Sequence, residues 1–126
     1  MAKAQFQGLF NGGKYKISIS LSIYIWEESG IHYAYSPALD ITGYGNTEIE
    51  ARNSFEVTLG EFMSYTNNKK TIYDELEHLG WTVNRRKRRV HAPNTDELID
   101  DNESFKELLG KGGVRRESRN VELAVA

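Results

Sequence analysis

Residues 15–26, YKISISLSIYIW, alternate strictly between apolar and polar positions. Ile17, Ile19, Leu21, Ile23 and Ile25 share one face, while Lys16, Ser18, Ser20, Ser22, Tyr24 and Trp26 share the other. A period of two with β-branched residues on the apolar side predicts a strand. The small serines predict a second face that is lightly covered or meets a neighbour. Glu27, Glu28, Ser29 and Gly30 read as a hairpin turn, with glycine supplying a positive φ. A second strand is predicted over 31–36, with Ile31, Tyr33 and Tyr35 on one face. Pro37 lacks an N–H and ends its pairing. A third short strand is predicted over residues 39–44.

The period then changes to that of a helix. Thr47 and Glu50 stand in a T-x-x-E capping box. Behind it Ala51, Phe55, Leu59 and Phe62 recur at spacings of three or four. This pattern predicts an amphipathic helix of about 18 residues ending near Tyr65, with Glu48 and Arg52 as an i, i+4 ion pair. Residues 66–68 read as a break. A second helix is expected from Thr71, with Ile72, Leu76 and Leu79 as its stripe and Gly80 as its stop. Trp81 and Val83 alternate again and open a strand that runs into the cationic stretch until Ala92 and Pro93. Asn94 or Thr95 starts a short acidic helix, and 104–109 forms another helical turn before Gly110. Val121, Leu123 and Val125 alternate as a terminal strand.

The predicted class is α+β. Its centre is an antiparallel three-stranded sheet packed by one long helix, followed by a further helix and strand and a tail of short helices. The expected organisation is a unit over 1–83 and a charged extension over 84–126.

Composition narrows the class of protein. Of 126 residues, 39% are hydrophobic and 27% charged, which suits a folded chain and not a disordered one. There is no cysteine, so disulfides and thiolate metal sites are excluded. No apolar run reaches the roughly 18 residues of a membrane span. The opening MAKAQFQGLF shows no apolar stretch or cleavage site of a signal peptide, so a cytoplasmic protein is expected. Net charge is −2, yet residues 1–80 carry −4 and residues 81–126 carry +2.

Catalytic and cofactor patterns are sparse. A two-metal nuclease needs converging carboxylates. Asp40 is the only one on a predicted strand, and Glu48, Glu50, Glu56 and Glu61 do not share a helix face. His32, His78 and His91 have no mutual ligand spacing. The glycine stretches 11–14 and 110–113 do not follow the phosphate-loop pattern and read as turns. No catalytic residue, metal site or cofactor is expected.

Residues 31–80 carry a resemblance. The stretch HYAYSPALDITGYGNTEIEARNSFEVTLGEFM resembles the N-terminal domain of HicB-like antitoxins, in which Y-x-P-x-L ends a strand and G-x-T-x-x-E-A opens the main helix. The matching residues are Tyr35, Pro37, Leu39, Gly45, Thr47, Glu50 and Ala51. Asp40-Ile41-Thr42 stands where the family has Pro-Gly-Cys, so the chain resembles a divergent member. The resemblance covers roughly Tyr15 to Tyr65. It implies a partial ribonuclease-H-like fold, self-association as a homo-oligomer, and masking of a small basic ribonuclease toxin of the HicA type. The tail matches neither DNA-binding domain usual in that family.

An acidic body suits a basic toxin, because complementary fields speed encounter. Candidate toxin contacts are Asp40, Tyr44 and Asn46 near the strand–helix turn, and Glu48 and Glu56 on the helix. The alternative is a nucleic-acid-binding regulator, on operator DNA or RNA, using Arg85, Arg86, Lys87, Arg88 and Arg89. If these five lie on a strand, Arg85, Lys87 and Arg89 share one face and Arg86 and Arg88 the other. Residues 96–107 carry −5, equal and opposite to the run, so an intramolecular clasp is a further expectation. Val121, Leu123 and Val125 either close this chain's own sheet or join a neighbour's as an oligomer strand.

Overall fold

A computed structural model describes residues 15–125, without the side chain of Val125. The glycine stretch 11–14 and the opening segment lie outside them. The elements are β1 (Tyr15–Glu28), β2 (Ile31–Ser36), β3 (Ile41–Gly45), α1 (Glu48–Lys69), α2 (Ile72–His78), β4 (Thr82–Asn84), β5 (Arg89–His91), α3 (Thr95–Asp101), α4 (Glu103–Leu109) and β6 (Arg115–Val125). The class is α+β. The main sheet has four antiparallel strands in the order β3-β2-β1-β6, and β4-β5 form a separate hairpin.

The sheet is therefore one strand wider than the sequence predicts. β6 runs back along β1, with Tyr15 opposite Val125 and Ile25 opposite Arg115. Val121 and Leu123 are buried in the chain's own core beside Leu21. Of the two alternatives expected for these residues, closing the chain's own sheet is the one present here, and it uses their side chains within the chain. Likewise the boundary expected at 83/84 does not divide the sheet, which takes β6 from the extension.

Each sheet face is covered differently. Ile23, Ile25, Ala34 and Ile41 meet Phe55 and Leu59 of α1, together with Leu76 of α2. Burying each large aliphatic or aromatic side chain contributes about 1.5–3 kcal/mol. Gly43 fixes how closely α1 sits. A Cβ there would lie 2.2 Å from the Phe55 nitrogen and 2.5 Å from the Ala51 oxygen, so only glycine lets the helix backbone rest on β3. On the other face Tyr24 and Tyr35 are covered by Phe105 and Leu108 of α4. Ser18 and Ser20 remain exposed on that face, so the expected light covering holds at one end of β1 and fails at the other.

The turns show why the elements stop. Ser29 and Gly30 both have positive φ, 54° and 83°, as a tight hairpin turn between twisted strands requires. Thr47 accepts from the Glu50 nitrogen, but the Glu50 carboxylate reaches Asn46 N at 2.8 Å and not Thr47. α1 does not break at 66–68. Thr66 is buried and donates its hydroxyl proton to the Phe62 and Met63 carbonyls, and the helix continues to Lys69. α2 ends as expected at Gly80 (φ 92°), with Trp81 N bonding Leu76 O and Gly80 N bonding Glu77 O. That motif turns Trp81 into the core, where its Nε1 donates to Ala38 O at 2.7 Å.

The largest correction concerns the cationic run. It is not a strand. β4 ends at Asn84, residues 85–88 are the loop, and β5 begins at Arg89. Asn84 Oδ1 accepts from Lys87 N at 3.0 Å, and Arg88 takes the left-handed conformation (φ 53°) that closes the loop. The cations therefore gather at one tip and are not divided between two faces.

No described helix is long and apolar enough to cross a membrane.

Candidate functional site

The candidate toxin contacts fall into two groups. Asp40, Tyr44 and Asn46 are exposed around β3, the edge strand of the sheet. Tyr44 stands directly across from Tyr33, which stands across from Trp26, so three aromatic residues form one row over three strands. The Trp26 and Tyr33 rings stack with centroids 5.0 Å apart. Asp40 has φ 55° and accepts from the Tyr35 hydroxyl at 3.3 Å.

Glu48 and Glu56 behave otherwise. Both are tied to β6 by arginines. Arg52 donates to Glu48 Oε2 at 2.8 Å and, through two nitrogens, to Glu117 at 2.6 and 2.9 Å. Arg119 grips Glu56 through two nitrogens, at 2.6 and 2.9 Å. Arg115 reaches Glu48 as well. The result is a ladder of alternating charge along the α1–β6 seam. Hydrogen bonding from Arg52 holds the Glu48 and Glu117 carboxyls below the ordinary carboxylate pKa, and Arg119 does the same for Glu56. The Glu48–Arg52 pair expected from the i, i+4 spacing is present, and Glu56, expected on the same acidic helix face, is paired with Arg119. Arg115, Glu117 and Arg119 are the residues that sequence reading missed. Their period-two spacing was visible, but their partners lie more than sixty positions away.

Beside Asp40 two clefts meet. One, of about 550 Å³, is lined by Trp26, Tyr33, Tyr35 and Phe105, with Glu107 and Lys111 among its polar groups. The other, of about 490 Å³, carries Glu97, Asp100 and Asp101 of α3 and His78 of α2. Asp40 and Asn102 line both. Asn102 joins the α3–α4 segment to the sheet. Its Oδ1 caps α4 at Phe105 N, and its Nδ2 donates to the Tyr35 hydroxyl at 2.9 Å. Burial, with the adjacent Asp40 carboxylate, pushes the Tyr35 phenol up to about 12. Tyr35 therefore stays a neutral hydrogen-bonding group and offers no nucleophile near neutrality.

The clasp between the two charge blocks does not form. Arg85 pairs with Asp74 and Glu77 of α2, at 2.7 and 2.8 Å. Among the described residues no ion pair joins 85–89 to 96–107. Arg86, Lys87 and Arg89 are exposed and have no ion-pair partner among them, and Arg88 lies over the Tyr15 ring at 3.5 Å. Asp96, Asp100, Asp101, Glu103 and Glu107 are likewise without an ion-pair partner among the described residues. There is no group of three or more metal-binding side chains among them.

No family model matches the chain, and neither a curated protein nor a solved structure matches it.

Proposed function

We propose that this protein is a HicB-like, antitoxin-type binding protein with a partial ribonuclease-H-like fold, acting by stoichiometric masking of a small basic ribonuclease toxin of the HicA type. The reading is supported by the quoted residues. Tyr35, Pro37 and Leu39 close β2, and Gly45, Thr47, Glu50 and Ala51 open α1, so together they form one continuous corner beside the edge strand. The observation that carries the reading is the acidic surface next to that corner. Asp40, Glu97, Asp100 and Asp101 line a cleft, and none of them is paired with an arginine or lysine among the described residues. Carboxylates left open to solvent attract a basic partner and discriminate against acidic ones. Glu48 and Glu56 are not part of this proposed contact surface, since Arg52, Arg115 and Arg119 hold them.

The test is co-expression with the product of a small basic reading frame adjacent to the gene. A one-to-one complex that suppresses that product's toxicity is the expected result. Asp100→Lys with Asp101→Lys is expected to weaken the complex at least tenfold, the effect of about 1.4 kcal/mol of lost attraction. Absence of a complex, with toxicity unrelieved, refutes the reading.

A further inference from the structure

The loop between β4 and β5 holds charge that the fold does not consume. Five consecutive cations would repel one another in any conformation. Among the described residues only Arg85 is paired with carboxylates, two of α2, and this pins one side of the loop to the body. The other side is shaped by the Asn84 cap on Lys87 N and by the left-handed Arg88. Arg86, Lys87, Arg88 and Arg89 are all exposed at the tip of this short ribbon.

We propose that this hairpin binds the phosphodiester backbone of a double-stranded nucleic acid through Arg86, Lys87, Arg88 and Arg89. A turn brings the four cations to one place, where a strand would split them between two faces. The loop is already shaped by its own hydrogen bonds, so little ordering is left for binding to impose. The Arg88 guanidinium carbon sits 3.5 Å from the Tyr15 ring centroid, and a guanidinium held over an aromatic face keeps N–H groups with which to donate. A two-stranded ribbon also fits a duplex groove. Single strands are disfavoured, because they bind by base stacking and the Tyr15 and Tyr73 rings beside the loop are covered by Arg88 and Arg85. The remainder of the chain is acidic, so contact is confined to the tip and depends steeply on salt. The inference stands whether or not the antitoxin reading holds.

The experiment uses the full chain with labelled duplex DNA and duplex RNA of the same sequence, read by fluorescence anisotropy. Binding to either duplex supports the proposal and identifies which backbone the tip accepts. Affinity is expected to fall roughly 100-fold between about 50 and 200 mM salt, as up to four phosphate contacts imply. Replacing all four cations by glutamine is expected to remove about 100-fold of the low-salt affinity. Arg119→Gln, in the α1–β6 ladder, is expected to change it less than about threefold. Should the fourfold variant fold poorly, Arg86→Gln with Lys87→Gln keeps the Tyr15 contact and is expected to halve the salt slope. The proposal is overturned by unchanged affinity in these variants, by no duplex binding at low salt, or by binding to anionic lipid vesicles in place of duplex.

Discussion

The α1–β6 seam and the β4–β5 loop are both rich in arginine, but their charges are arranged in opposite ways. Along the seam, glutamates and arginines alternate across two elements, and each arginine meets a carboxylate. At the loop, like charges are adjacent in sequence and, among the described residues, one of five is paired with carboxylates. The seam charges report on how a helix is held to an edge strand. The loop charges, and the acidic α3 segment that mirrors them, contribute little to that and stay open to solvent. Counting charge along the sequence could not separate the two, because Glu56 and Asp100 look alike until their neighbours are known.

The seam is most easily broken from beneath. Gly43→Ala places a methyl against the α1 backbone, which cannot retreat without lifting the helix and parting the ladder. The expected loss is about 3 kcal/mol, at the upper end for overpacking, measured by urea denaturation. A native-like midpoint would show that α1 is free to shift, and that the ladder does not depend on the seat at Gly43.

A gentler disturbance acts on the charges themselves. Glu56→Gln removes one exposed pair and is expected to cost about 0.5 kcal/mol, or roughly 2 °C in melting temperature. Acid should reveal the same contribution. The carboxyl groups of Glu48, Glu56 and Glu117 are held below the ordinary glutamate range by their arginines, so the unfolded chain binds protons before the folded one. The ladder's stabilisation is complete above the unfolded value and is lost as pH falls through the lower folded values. Melting curves from pH 7 down to pH 3 should therefore fall more steeply for the native chain than for Glu48→Gln/Glu56→Gln/Glu117→Gln. Parallel curves would mean the ladder contributes nothing.

Local signals made much of the fold legible. The alternation in 15–26 and 31–36 located β1 and β2, and the threonine–glutamate pair located the start of α1. Errors arose where distant contacts decide. Thr66 is a poor helix former, yet it is buried and bonded back to its own helix, so α1 runs past the expected break. The cationic run contains no glycine or proline to announce a turn, and the single local clue was Asn84 at its head. β6 was readable as a strand, but nothing in Val121 or Leu123 could say whose sheet it would join. The acidic cleft required α3 to fold back beside Asp40, a placement that Asn102 secures through Tyr35 and that no spacing encodes.

The smallest expected change in stability belongs to the loop, and it bears most directly on the contrast between the two regions. The measurement is the melting temperature of Arg86→Gln/Lys87→Gln/Arg88→Gln/Arg89→Gln at pH 7 and low salt. If these cations are unneutralised by the fold, the variant melts within about 2 °C of the native chain, or slightly above it as repulsion is relieved. A fall of more than about 5 °C would contradict the account, because it would place the loop charges in the same structural role as those of the α1–β6 seam.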